Sequence, residues 1–152
     1  MLIDGLTLAR AIHIASVVIW MGGVTFVTIV LIPVLRKSTF GQDQLTIFNK
    51  IENQFAQIAR VMVILAGLSG IYMVDALGAW DRFLQPSYFW MHAMVIVWLM
   101  FFLALFVIEP FFLKNHGRMV KGEQGIVNLR KTQIVHLVIL TLSLFTILVS
   151  VK

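Results

Sequence analysis

Three histidines, His13, His92 and His136, sit inside long apolar runs of this chain. An imidazole in such surroundings is costly unless something binds it, so each is a functional-site candidate. His13 lies about seven residues, and His92 about five, from the ends of their runs on the same side, roughly 10 Å below that surface at the helical rise per residue. His136 enters its run from the opposite side, roughly 20 Å away along the membrane normal. Two imidazoles at one depth on two helices suit a haem held edge-on, with iron bound axially by both.

The neighbours of His13 and His92 agree with that chemistry. Arg10 lies one turn from His13 on nearly the same face, where a guanidinium pairs with a haem propionate. Ser16 and Trp20 continue that face inward, and Gly23 at its edge leaves room for a flat ring. Tyr88 and Leu99 flank His92 on its own face. Other metals fit less well. Zinc or copper needs three or four convergent ligands, and Met91 and Met94 fall off the face of His92. With Met73 they read as packing. A second, weaker site is His136 with Arg60, read as a proton path or ligand site near the opposite surface. Gln133, His136, Ser143, Thr146 and Ser150 form one polar stripe, expected to hydrogen-bond between helices. Gly67 and Gly70 make a small-residue groove for packing. Glu109 beside Pro110 and Lys114 reads as a local ion pair, and His116 as a solvated loop residue.

These residues are carried by four apolar segments, at about 6–35, 58–77, 88–113 and 134–151. The chain has 152 residues, 60% of them hydrophobic and 12% charged. That is too much apolar surface for a soluble domain of this size to hide. Each segment approaches or exceeds the roughly 20 residues that cross a bilayer, and backbone groups in lipid must be bonded within the segment. The expected fold is therefore all-α, an integral membrane four-helix bundle forming a single transmembrane domain over 1–152. The first run has no basic flank and is too long for a removable signal segment. Pro33 and Pro110 stand near helix ends and need not kink them much. Apolar residues recur every three or four positions from 42 to 60, predicting an amphipathic cytoplasmic extension of the second helix. Gly117, Gly122 and Gly125 among charges predict a solvated third connection.

Charge sets the orientation. Arg36, Lys37, Lys50 and Arg60 flank the first connection, and Lys114, Arg118, Lys121, Arg130 and Lys131 flank the third. Only Arg10, Arg82 and Lys152 fall on the other side. The positive-inside rule then gives N-out, C-out topology, with Trp80 and Trp90 in an outer interfacial belt. The net charge of +5 is explained by these flanks and does not read as a nucleic-acid signal. The chain has no cysteine, which excludes disulfides, thiolate metal sites, covalent haem attachment and thiol catalysis. No Walker A loop, zinc-protease helix, serine triad or Gly-rich dinucleotide motif is present.

The run RAIHIASVVIWMGG at residues 10–23 resembles the first helix of a group of small membrane proteins. The group includes the copper-resistance protein D type and the HemJ-type protoporphyrinogen oxidases. The shared spacing is that of His13, Trp20 and Gly23. The stretch 53–74, ending in GLSGIYMV, looks like their second helix. WMHAM at residues 90–94 looks like the HemJ-type third helix, with Met94 where that pattern has lysine. His136 stands where the fourth helix of that family has an acidic, proline-containing entry. The resemblance covers three of four helices and implies a haem-binding four-helix membrane bundle.

The resulting expectation is a b-type haem protein of the cell (inner) membrane, multi-pass and homo-oligomeric. His13 and His92 are its axial ligands, and Arg10 is its propionate partner. Its work is electron transfer or redox chemistry near the outer face, with a quinone or a redox protein as partner. The alternatives are a HemJ-like porphyrinogen oxidoreductase and a non-redox copper or ion transport or assembly subunit.

Overall fold

The computed structural model describes residues 4–37, 43–108 and 123–150. Among them the chain is helical, in four helices that run antiparallel to their neighbours. The first, α1 (5–37), starts at Gly5–Phe26, widens into a π-helical stretch at Val27–Leu31 and resumes over Ile32–Lys37. Asp4 caps it, its carboxylate accepting from the Thr7 amide at 2.6 Å. The second, α2, runs unbroken from Asp43 to Ala76. The amphipathic extension therefore continues straight into the apolar part of the helix. Two short 3₁₀ turns, Trp80–Leu84 and Pro86–Tyr88, lead into α3 (89–108). It comprises Phe89–Leu103 and a second π-helical stretch, Ala104–Ile108. The fourth, α4, is Glu123–Ser150.

Three of the four helices are long and apolar enough to cross a membrane: Gly5–Leu35, Lys50–Ala76 and Pro86–Ile108. The apolar part of α4, Gln133–Val149, is shorter. Large apolar side chains such as Ile14, Val18, Leu68 and Phe145 point outward. A surface of that kind suits lipid.

The structure departs from the sequence-based expectation at the third connection. Arg60, counted among the flanks of the first connection, lies within the unbroken helix α2. The last helix begins at Glu123, so Gly125 is helical and not part of a connector. Polar composition alone does not stop a helix that has apolar surface to follow. Glu109, Pro110, Lys114, His116, Gly117, Arg118, Lys121, Gly122 and Lys152 lie outside the described residues.

Pro33 leaves a local mark on α1. Pro33 has no N–H, and its ring crowds the carbonyl four residues back. The helix answers by widening: the Ile32 N–H reaches back five residues to the Val27 carbonyl. In that register the Thr28 carbonyl would take its hydrogen from residue 33, which has none. Gln133 supplies it instead, its Nε2 donating to the Thr28 carbonyl at 3.3 Å. In the second widened stretch, Arg60 Nε donates to the Leu105 carbonyl at 3.2 Å. Each widened stretch thus receives a polar side chain from a neighbouring helix.

The helices form a ring in which α1 packs chiefly on α2 and α3 on α4. Small buried residues of α2, Ala56, Ala59, Ala66 and Ser69, let α1 approach closely. Trp98 of α3 lies against Gly67 of α2, and its Nε1 donates to the Val63 carbonyl at 2.8 Å. The core at mid-height joins Trp20, Met21 and Val24 with Ala59, Val63, Phe101 and Leu140. Across the ring, α1 and α3 meet there through the edge-on pair Trp20–Phe101, with centroids 4.4 Å apart.

Gln133→Leu strands the Thr28 carbonyl and is expected to cost about 1–3 kcal/mol. In a Pro33→Ala background residue 33 offers its own N–H, and the same substitution should cost clearly less. A double-mutant cycle on reversible unfolding in mixed micelles measures this, and equal costs in both backgrounds would refute the capping role.

Candidate functional site

His13 is on the face of α1 that meets α2, and it is half-buried. Its Nδ1 lies 2.9 Å from the Ala66 carbonyl oxygen and 3.2 Å from Ser69 Oγ. A carbonyl only accepts, so Nδ1 carries the hydrogen and Nε2 carries the lone pair. Gly70 lies beside the ring, and a Cβ there would sit 3.5 Å from His13 Cε1, in ordinary contact. The small-residue groove of α2 therefore receives two rings from its neighbours, Trp98 at Gly67 and His13 at Gly70.

His92 is in the first turns of α3 and is exposed. Phe83, from the 3₁₀ turn, meets its ring edge-on at 5.4 Å. The heights of the two histidines follow from contacts along α2. Trp98 is level with Val63, and His92 is six residues, or about 9 Å, further toward the N-terminal end of the bundle. His13 bonds to Ala66 and Ser69, three and six residues beyond Val63, or about 4–9 Å in the same direction. The imidazoles thus share one end of the bundle within about a turn. Their surroundings differ: α2 engages His13, whereas His92 faces Phe83 and open surface.

The remaining candidates divide. Arg10 is exposed one turn beyond His13, and its charge helps hold the Asp4 carboxyl low. Ser16 and Trp20 are buried on the His13 side of α1. Trp20 Nε1 is enclosed without a hydrogen-bond partner. Gly23 does leave room for a flat ring, but the ring filling it is the phenyl of Phe55 from α2. Tyr88 is engaged by Arg82, whose guanidinium lies 5.4 Å from its ring centroid.

At the other end, His136 is half-buried and its Nδ1 is enclosed with no partner. Arg60 is directed at the Leu105 carbonyl. Of the polar stripe on α4, Gln133 does bond across helices. Ser143 and Thr146 are buried but donate within their own helix, to Ile139 at 2.8 Å and Leu142 at 2.9 Å. A hydroxyl satisfies itself on the preceding turn at no cost in reach, so helical spacing overstates its cross-helix role. The Ser150 side chain is outside the described residues.

Ser69 and the Ala66 carbonyl are absent from the sequence reading. The available signal was the small-residue run GLSG on the face opposite His13. A backbone carbonyl leaves no trace in side-chain patterns. Among the described residues no three histidine, aspartate or glutamate side chains gather as a metal centre. An axial pair of imidazoles needs no such cluster. No protein-family model, curated protein or solved structure matches the chain.

Gly67→Ala places its Cβ 2.6 Å from Trp98 Cζ2 and should cost about 1–3 kcal/mol through displacement of the indole. Gly70→Ala meets only van der Waals contact and should be near neutral in the same unfolding assay. At the chain's start, the Thr7 side chain and amide bond the Asp4 carboxylate, and with Arg10 they hold its pKa below the ordinary 3.8. A carboxylate held low keeps its contribution above the unfolded value and loses it as pH falls through the folded value. The Thr7 amide proton shift should hence stay constant above about pH 5 and move toward its unbonded value well below pH 4. Asp4→Asn should abolish that titration.

Proposed function

We propose that the chain is a membrane-embedded b-type haem protein resembling the HemJ and copper-resistance protein D group. His13 and His92 are its axial ligands. The observation that carries this reading is the bond from His13 Nδ1–H to the Ala66 carbonyl. Ligating histidines donate their second ring N–H to a carbonyl or carboxylate, which fixes the tautomer and aims the other nitrogen outward. His13 already has that arrangement. His92 is exposed at similar height on the helix across the ring, and no hydrogen bond among the described residues restrains its imidazole.

Other features of the same end support the fit. Arg10 stands one turn nearer the surface, where its guanidinium would bind a propionate. Trp20 Nε1 is a buried donor lacking an acceptor, and such groups call for a partner beyond the protein. The Gly23 notch does not serve, since Phe55 fills it. The bound haem would supply one-electron redox chemistry. The protein's own tasks are to bind it through the two imidazoles, to pair its carboxylates and to exclude water with the apolar core around Trp20 and Phe101. With both axial positions taken, electron transfer fits better than gas binding. The termini face outward in this reading, so the site opens to the non-cytoplasmic side of the cell membrane, within reach of quinol or a redox protein.

Protein made with ample haem supply should show a Soret band, and sharp α and β bands on reduction. His13→Ala and His92→Ala should each remove or broaden them, while His136→Ala leaves them intact. A colourless wild-type preparation ends the proposal. Oxidation of protoporphyrinogen by the pure protein would move the assignment from electron carrier to oxidoreductase.

A further inference from the structure

Ser69 is one residue before Gly70 and is buried against α1. Its hydroxyl has a single hydrogen. The shortest acceptor is the Leu65 carbonyl at 2.6 Å, one turn back on its own helix. The Ala66 carbonyl lies at 3.1 Å on the same side. With its hydrogen directed along its own helix, Oγ presents lone pairs to what lies opposite. That is His13 Nδ1, at 3.2 Å. One imidazole N–H thus faces two oxygens, Ser69 Oγ and the Ala66 carbonyl.

We infer that Ser69 is a positioning residue for His13, reinforcing the Nδ1–H tautomer that the Ala66 carbonyl sets and strengthening Nε2 as an electron donor. The opposite tautomer would turn a nitrogen lone pair toward both oxygens at once. That repulsion is stronger in a buried setting than in water. Hydrogen bonding at Nδ1–H also shifts electron density toward Nε2, as second-shell partners do for ligating histidines generally. Stronger donation at Nε2 favours oxidised iron and lowers the reduction potential. The tautomer claim concerns the protein alone, and the claim about potential rests on the haem reading.

The test has two arms. In the first, protein with ¹⁵N-labelled histidine and no haem is reconstituted in nanodiscs, and the His13 ring nitrogens are read by NMR. Wild type should be almost wholly Nδ1–H. Ser69→Ala should shift the tautomer ratio by about two- to tenfold toward Nε2–H, the range expected for one hydrogen bond. Ser69→Thr, which keeps the hydroxyl, should restore it. An unchanged ratio in Ser69→Ala, or a wild type that is mainly Nε2–H, overturns the inference. In the second arm the haem-loaded variants are titrated potentiometrically. Ser69→Ala should have a higher midpoint potential than wild type, and Ser69→Thr a value close to it. Equal potentials in all three overturn the tuning role. A protein that shows the tautomer shift yet takes up no haem refutes the haem proposal and leaves Ser69 as a support of the His13 tautomer.

Discussion

A helix surrounded by lipid has no water to complete its hydrogen bonds, so every main-chain carbonyl must find a donor within the protein. That demand organises this molecule. Pro33 withholds a donor inside α1, and α3 has a widened stretch of its own. The partners come from neighbouring helices: Gln133 of α4 for Thr28, Arg60 of α2 for Leu105. Each bond satisfies a carbonyl and, in the same act, fixes how far one helix has slid along another. A defect in one helix becomes a register pin between two.

The same economy recurs outside the widened stretches. Trp98 Nε1 donates to the Val63 carbonyl, and His13 Nδ1 to that of Ala66. Four contacts between helices therefore share one form, a side-chain N–H meeting a backbone oxygen. Apolar side chains lining helices in lipid give little preference for one sliding position over another, because lipid tails offer similar contacts. Directional bonds to carbonyls give that preference. Small residues on α2 bring the backbones close enough for short side chains to reach. Gly67 does so most directly, since the Trp98 indole stands where its side chain would be.

Much of this was legible in the sequence, for reasons that differ by element. Apolar runs of adequate length dictate helices in any lipid-like surroundings, so α1 to α3 and the apolar part of α4 follow from composition. The depth of His13 and His92 follows from counting residues along those helices. Arg60 was legible as a charge near the start of the second apolar segment, but its bond to a carbonyl some 45 positions away in the chain leaves no trace in charge. Gly23 was read for the wrong ring. Its lack of a side chain did signal a cradle for a flat ring, but only packing decides which ring enters, and Phe55 is close at hand. Ser69 was invisible because a serine in an apolar helix usually bonds to its own preceding turn. Ser69 does this too, and its second role appears only when α1 is laid alongside.

The choice of imidazole at position 13 favours a ligand over a mere clip. Gln133 shows that an amide suffices to donate across helices to a carbonyl, and Trp98 shows that an indole does. A histidine brings a second nitrogen, Nε2, which the bond from Nδ1 to the Ala66 carbonyl does not use. The Ala66 carbonyl and Ser69 Oγ both face Nδ1 and so restrain the ring. On the proposed haem reading this is the restraint that a metal ligand requires, where a nitrogen must be held in place before its partner arrives.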